Sequence, residues 1–113
     1  MSWGWSACEL NSPAAVDQTK LMPTNADLGR AIRRLRKEHR LSIEALAFAA
    51  DIHPTYLSGI ERGVRNPTWE RITSLARALD VPVSAIIHTA EQEAEIALIV
   101  RDARARIGRS LSG

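Results

Sequence analysis

Residues 42–63, SIEALAFAADIHPTYLSGIERG, constrain the fold of this chain more than any other stretch. Ile43, Leu46, Ala47 and Ala50 recur at helical spacing and give a short helix one apolar face. Ser42 stands where an N-cap belongs, its hydroxyl free to accept from an unpaired amide of the first turn. Asp51 interrupts the pattern where a left-handed residue is required, a conformation that aspartate tolerates better than most. His53-Pro54 restarts a helix, because proline at the first helical position loses no needed donor. Leu57 and Ile60 form the inner face of this second helix, and Gly63 closes it.

Two short helices broken by so sharp a turn make a helix-turn-helix. Residues 28–79 resemble the Cro/C1-type (XRE-like) helix-turn-helix repressor family on three segments. These are Ile32-Arg33-Arg34-Leu35-Arg36, Leu46-Ala47-Phe48-Ala49-Ala50, and Tyr56-Leu57-Ser58-Gly59-Ile60-Glu61-Arg62-Gly63, continued by Val64-Arg65-Asn66-Pro67-Thr68. Within the family, Thr55 to Arg62 followed by Arg65-Asn66 is similar to controller proteins of restriction–modification systems. The resemblance implies an all-α, compact five-helix, lambda-repressor-like DNA-binding domain over residues 26–88. A flexible N-terminal arm is expected at 1–25, and an additional C-terminal helix, read as a dimerisation element, at 89–113.

The charge distribution agrees with a polyanionic partner. Residues 1–27 carry one base and three acids, whereas 28–79 carry ten bases and five acids. The basic surplus therefore lies on the expected folded core, where double-stranded DNA would be held by Coulomb attraction. A single cysteine, Cys8, excludes an internal disulfide and every multi-cysteine zinc pattern. No apolar run approaches the ~20 residues needed to span a bilayer, and the start lacks a signal-peptide pattern. The expectation is a cytoplasmic protein with no membrane contact.

Residues 1–25 are poor in periodicity and rich in Ser, Asn, Pro and small residues. Trp3 and Trp5 admit two readings there: incidental aromatics in an unstructured tail, or anchors for a protein partner. The first helix is expected over 26–40, with Asn25 as N-cap and Asp27 favourable in the first turn. Leu28, Ile32, Leu35 and His39 form its inward stripe, while Arg30, Arg33, Arg34 and Lys37 cover another side. Such a basic run is a solvated face or a phosphate contact. For Arg36 the resemblance implies a structural salt bridge to Glu61, in which a planar guanidinium meets a carboxylate in a bidentate fork.

The second helix of the motif, about 54–62, is expected to enter the major groove. The resemblance places base readout on Pro54, Thr55 and Gly59, of which only Thr55 has a hydrogen-bonding side chain. That is a thin reading set. Specificity then leans on DNA deformability, on Arg65 or on dimer spacing. Ser42, Tyr56, Ser58, Arg62, Arg65 and Asn66 are the expected DNA-backbone contacts. Tyr56 reads equally as a half-buried core residue.

A fourth helix follows from Thr68, an N-cap after Asn66-Pro67, to Leu79, with Trp69, Ile72, Leu75, Ala76 and Leu79 on its apolar face. Trp69 reads as core. A fifth begins at Val81-Pro82 with Val83, Ile86 and Ile87 apolar, and the resemblance implies a dimer contact there, with Ile86 in it. Beyond 88, acids at 91, 93 and 95 precede Arg101, Arg104 and Arg106, an order that complements a helix dipole. Ile96, Val100, Ala103 and Ile107, joined by Ile99, share one face. Such a stripe packs either on the body of the domain or across a dimer; Ile96, Ile99, Val100 and Ile107 are the expected dimer residues, although the basic end at 101–109 is also placed to meet DNA.

His39, His53 and His88 show no metal-ligand spacing, and no glycine-rich phosphate loop follows a strand. An enzyme, a cofactor and a metal are therefore not expected. Two functions remain. The first is a homodimeric, sequence-specific transcriptional regulator on a palindromic operator. The second is a protein-interaction module, antitoxin-like or an adaptor, working through the N-terminal arm and the C-terminal helix.

Overall fold

Thr24, one residue earlier than expected, starts the first helix. Its hydroxyl accepts from the Asp27 amide at 3.3 Å, and the Asp27 carboxylate accepts from the Thr24 amide at 2.9 Å. This reciprocal capping box leaves Asn25 as the first helical residue, not the cap. The computed structural model describes residues 22–112, with side chains as far as residue 108. Within it the helices are α1 (Asn25–Glu38), α2 (Ile43–Ala50), α3 (Pro54–Glu61), α4 (Trp69–Ala78) and α5 (Val83–Ser112). Most of the expected arm, with Trp3, Trp5 and Cys8, lies outside the described residues.

The helices α1 to α4 end in one way. Arg40, Asp51, Gly63 and Asp80 each adopt positive φ, between 56° and 79°. The residue after each returns its amide to the helix: Leu41 to the Arg36 carbonyl, Ile52 to Ala47, Val64 to Gly59 and Val81 to Ala76, all at 2.9–3.1 Å. Orphan carbonyls are satisfied and the chain is turned sharply each time. Only Gly63 takes this conformation without steric cost. Arg40→Gly is therefore expected to raise unfolding stability by about 0.5–1 kcal/mol, read as a higher urea midpoint at unchanged slope.

The core gathers between these turns. Ile32, Leu46, Leu57, Ile60, Leu75, Leu79 and Ile86 are fully buried, with Ala47, Ala50 and Leu35 completing the cluster. α1 packs on both α3 and α5, while α2 packs on α3 and α4. The all-α, five-helix, lambda-repressor-like architecture expected from the sequence is the one observed.

Several particulars differ. His39 is exposed, its ring Nδ1 2.8 Å from the Leu35 carbonyl, because it lies past the last helical residue where the inward stripe has ended. Trp69 is 64% exposed, because it is the first residue of α4 and the inward face begins at Ile72. The expected break near residue 88 is absent: α5 runs 30 residues without interruption. Nothing in residues 83–107 stops a helix, since proline and glycine are missing there. Ile86 is fully buried in the core of the monomer, so it has no surface left for a dimer contact.

Candidate DNA-binding interface

The position of α3 is fixed from behind by charge. Arg36 Nε donates to Glu61 Oε2 at 2.7 Å and its Nη2 to Oε1 at 3.0 Å, a two-point fork between α1 and α3. Its remaining terminal nitrogen donates to the Leu41 carbonyl at 2.9 Å. Both side chains are buried, and the hydrogen bond to Glu61 holds the Arg36 guanidinium above its ordinary range against the opposing effect of burial. One arginine therefore ties the last turn of α3 to α1 and to the entry into α2.

From this anchor α3 presents its outer face. His53 caps it, the ring Nδ1 accepting from the Thr55 amide at 3.0 Å, and Pro54 occupies the first turn. Thr55, Arg62, Arg65 and Asn66 are exposed, while Pro54, Tyr56 and Ser58 are half-buried. Ser42 is exposed at the start of α2, its hydroxyl accepting from the Ala45 amide at 3.0 Å. That bond leaves the hydroxyl proton available to a phosphate. Tyr56 packs on the core, and the Arg71 guanidinium lies 6.0 Å from its ring centre. This is the outer limit for a cation–π contact.

Gly59 is a correction. It is buried, and the side chain of Arg65 covers it. With the Arg65 stem lying over it, Gly59 is not itself exposed on this face of α3, and Arg65 is the outermost side chain there.

The basic face of α1 is partly neutralised. Arg30 pairs with Asp27, and Arg30 and Arg34 each approach Glu93 of α5 at 3.5 Å. Both carry an ion-pair partner within the fold, so α1 contributes less free positive charge than its sequence suggests. Arg71 has no distinguishing signal in the sequence; only the fold brings it beside Tyr56. Phe48, 88% exposed on α2, borders a groove formed with Ile52, His53, Tyr56 and Arg71. Among the described residues no helix is long and apolar enough to cross a membrane.

Comparison with known proteins gives the same arrangement a family. A helix-turn-helix family model matches residues 32–86. The control protein C.BamHI of Bacillus amyloliquefaciens is 43% identical over 54 residues, which is 47% of this chain and 67% of that protein. The crystal structure of the clp gene regulator ClgR from Corynebacterium glutamicum superposes with a TM-score of 0.73 at 27% identity, over 76% of this chain and 92% of that one. The restriction–modification controller C.Esp1396I, solved as a tetramer with its natural 35 base-pair operator, gives 0.58 at 27% identity over 62% of this chain and 92% of that one. With its helix-turn-helix built as described and these proteins as its relatives, the chain belongs to the Cro/C1-type helix-turn-helix family, which consists of DNA-binding transcriptional regulators and not enzymes.

Proposed function

We propose that the protein binds a palindromic operator as a homodimer, each subunit laying α3 in the major groove of one half-site. The observation that carries the dimer is the bare end of α5. Ile96, Ile99, Val100 and Ile107 are 42–62% exposed on one helical stripe, and every described side chain from residue 99 onward is exposed. A monomer gains nothing from such a stripe, whereas pairing two copies buries it. The N-terminal part of α5 is locked into the body through Ile86, Ala90 and Ala94, so a dimer built on the far end holds both reading heads in fixed relation.

On DNA, Thr55 and Arg65 supply the polar reach toward base edges, and Pro54 supplies an apolar contact. Ser42, Ser58, Arg62 and Asn66 bind phosphates, and the free amides at the start of α2 add to that site. Tyr56 joins them through its hydroxyl alone, its ring being packed on the core. A two-fold dimer sets half-site centres about one helical turn, ~34 Å, apart. The complex of C.Esp1396I with its operator supports DNA as the partner by kinship.

Ile99→Glu combined with Val100→Glu tests the dimer. The pair is expected to yield a folded monomer by sedimentation, with operator affinity lower by about 10²-fold or more as the two heads lose their linkage. An unchanged dimer mass would contradict the assignment of this stripe.

A further inference from the structure

The segment after α3 folds back on it at one residue. The amides of Val64 and Arg65 both donate to the Gly59 carbonyl, at 3.0 and 3.2 Å. That bond pair starts the Arg65 side chain directly beside Gly59. A Cβ placed on Gly59 would meet Arg65 Cγ at 2.5 Å, with Arg65 Cβ at 3.5 Å and Cδ at 3.6 Å. Three carbons of the arginine stem thus lie along the bare backbone of Gly59. Glycine within a helix is otherwise a disadvantage, so the close approach gives it a use.

The direction matters as much as the contact. Thr55, Gly59 and Arg62 stand four and three residues apart, so they share one face of α3. A stem seated on Gly59 therefore lies on the same face as Thr55. Among the described residues the Arg65 guanidinium has no hydrogen-bond or ion-pair partner, and the side chain is exposed. An exposed charged fork without a partner is free to engage DNA.

We propose that Gly59 is a positioning residue: its bare backbone seats Arg65 on the reading face, so the side chain at 59 sets operator preference through Arg65. This rests on the reading of α3 as the recognition helix. A methyl group at 59 lifts the stem and moves the guanidinium off its base, while the backbone of α3 keeps its place.

The test uses the full-length chain as wild type, Gly59→Ala, Arg65→Ala and the double variant, each selected on random duplexes. Affinity for the wild-type operator is compared with affinity for unrelated DNA, and melting is followed for all four. Gly59→Ala is expected to lower the ratio of specific to nonspecific affinity by about 5- to 150-fold, the range of one base contact, at the operator position that Arg65→Ala also relaxes. The double variant is expected to lose no more than Arg65→Ala alone, because both changes remove one interaction. A Gly59→Ala protein with the wild-type motif and ratio would overturn the proposal, as would losses at different positions that add. If Gly59→Ala does not fold, adding Arg65→Ala is expected to restore folding, and failure to restore it would equally overturn the proposal. A wild-type chain that selects no motif would defeat the recognition reading itself, and the proposal with it.

Discussion

Glu61→Ala is expected to destabilise the protein by about 3–5 kcal/mol, because it leaves the Arg36 guanidinium buried without its carboxylate. The two-point fork and the 8–9% exposure of both residues place this pair in the class where desolvation dominates. A surface ion pair such as Arg106–Asp102, exposed on both sides, is in contrast worth at most about 1 kcal/mol. A domain of this size has roughly 5–15 kcal/mol in total, so the melting temperature is expected to fall by about 15 °C or more. Arg36→Ala removes the charge instead, yet it also frees the Leu41 carbonyl and cuts the tie into α2. Replacing both partners with leucine and methionine is expected to recover most of the loss, since no unpaired charge then remains. A Glu61→Ala protein that melts within a few degrees of wild type would show the pair to be hydrated.

Gly29→Ala is the second large effect, and its sign decides between two principles. Helix propensity favours alanine over glycine by about 1 kcal/mol in a helix interior. The structure opposes it: a Cβ on Gly29 would lie within 3.0 Å of the Ile60 and Glu61 carbonyl oxygens. These are backbone atoms of the last turn of α3, held by its closing hydrogen bonds, so they cannot swing aside as a flexible side chain would. α1 must move away, and Ile32 and Arg36 move with it. The expected net cost is about 1–2 kcal/mol in denaturant unfolding, with overpacking at the upper end of its usual ~1–3 kcal/mol outweighing propensity. Stabilisation by Gly29→Ala would mean that α1 and α3 are not in this close contact. Gly63 contributes to the same junction, standing against the backbone of Ala26 at a φ of 79°.

The motif itself was legible because each of its signals is local. Ser42, Asp51, His53-Pro54 and Gly63 mark starts and stops within a few residues of where they act. Thr68 behaves in the same way. Thr24 was the harder case, since Thr and Asn both cap helices and the two stand side by side. The carboxylate of Asp27, three residues after Thr24, decides between them. The continuity of α5 past residue 88 was also present in the sequence, as the absence of proline and glycine from 83 to 107. The expected boundary at 88 is implied by the family resemblance and not by any residue there.

What the sequence withheld is contact between elements. Periodicity marks Trp69 as apolar but does not tell that the inward face of α4 starts three residues later. Ile86 and Ile87 are indistinguishable as letters, yet one is sealed in the core and the other is 37% exposed. Gly29 carried a faint signal, a glycine inside a strong helix, though nothing named the backbone it approaches. Gly59 on the reading face gave the same signal, and only the returning chain shows what covers it.

The most direct measurement is selection of the full-length protein on random duplex DNA, with bound sites sequenced and affinity followed across salt. An inverted repeat is expected, its half-site centres about one helical turn apart and bound at least ~10³-fold more tightly than unrelated DNA. Recovery of no motif, with binding that only falls steeply as salt rises, would contradict it and reduce the interaction to phosphate attraction.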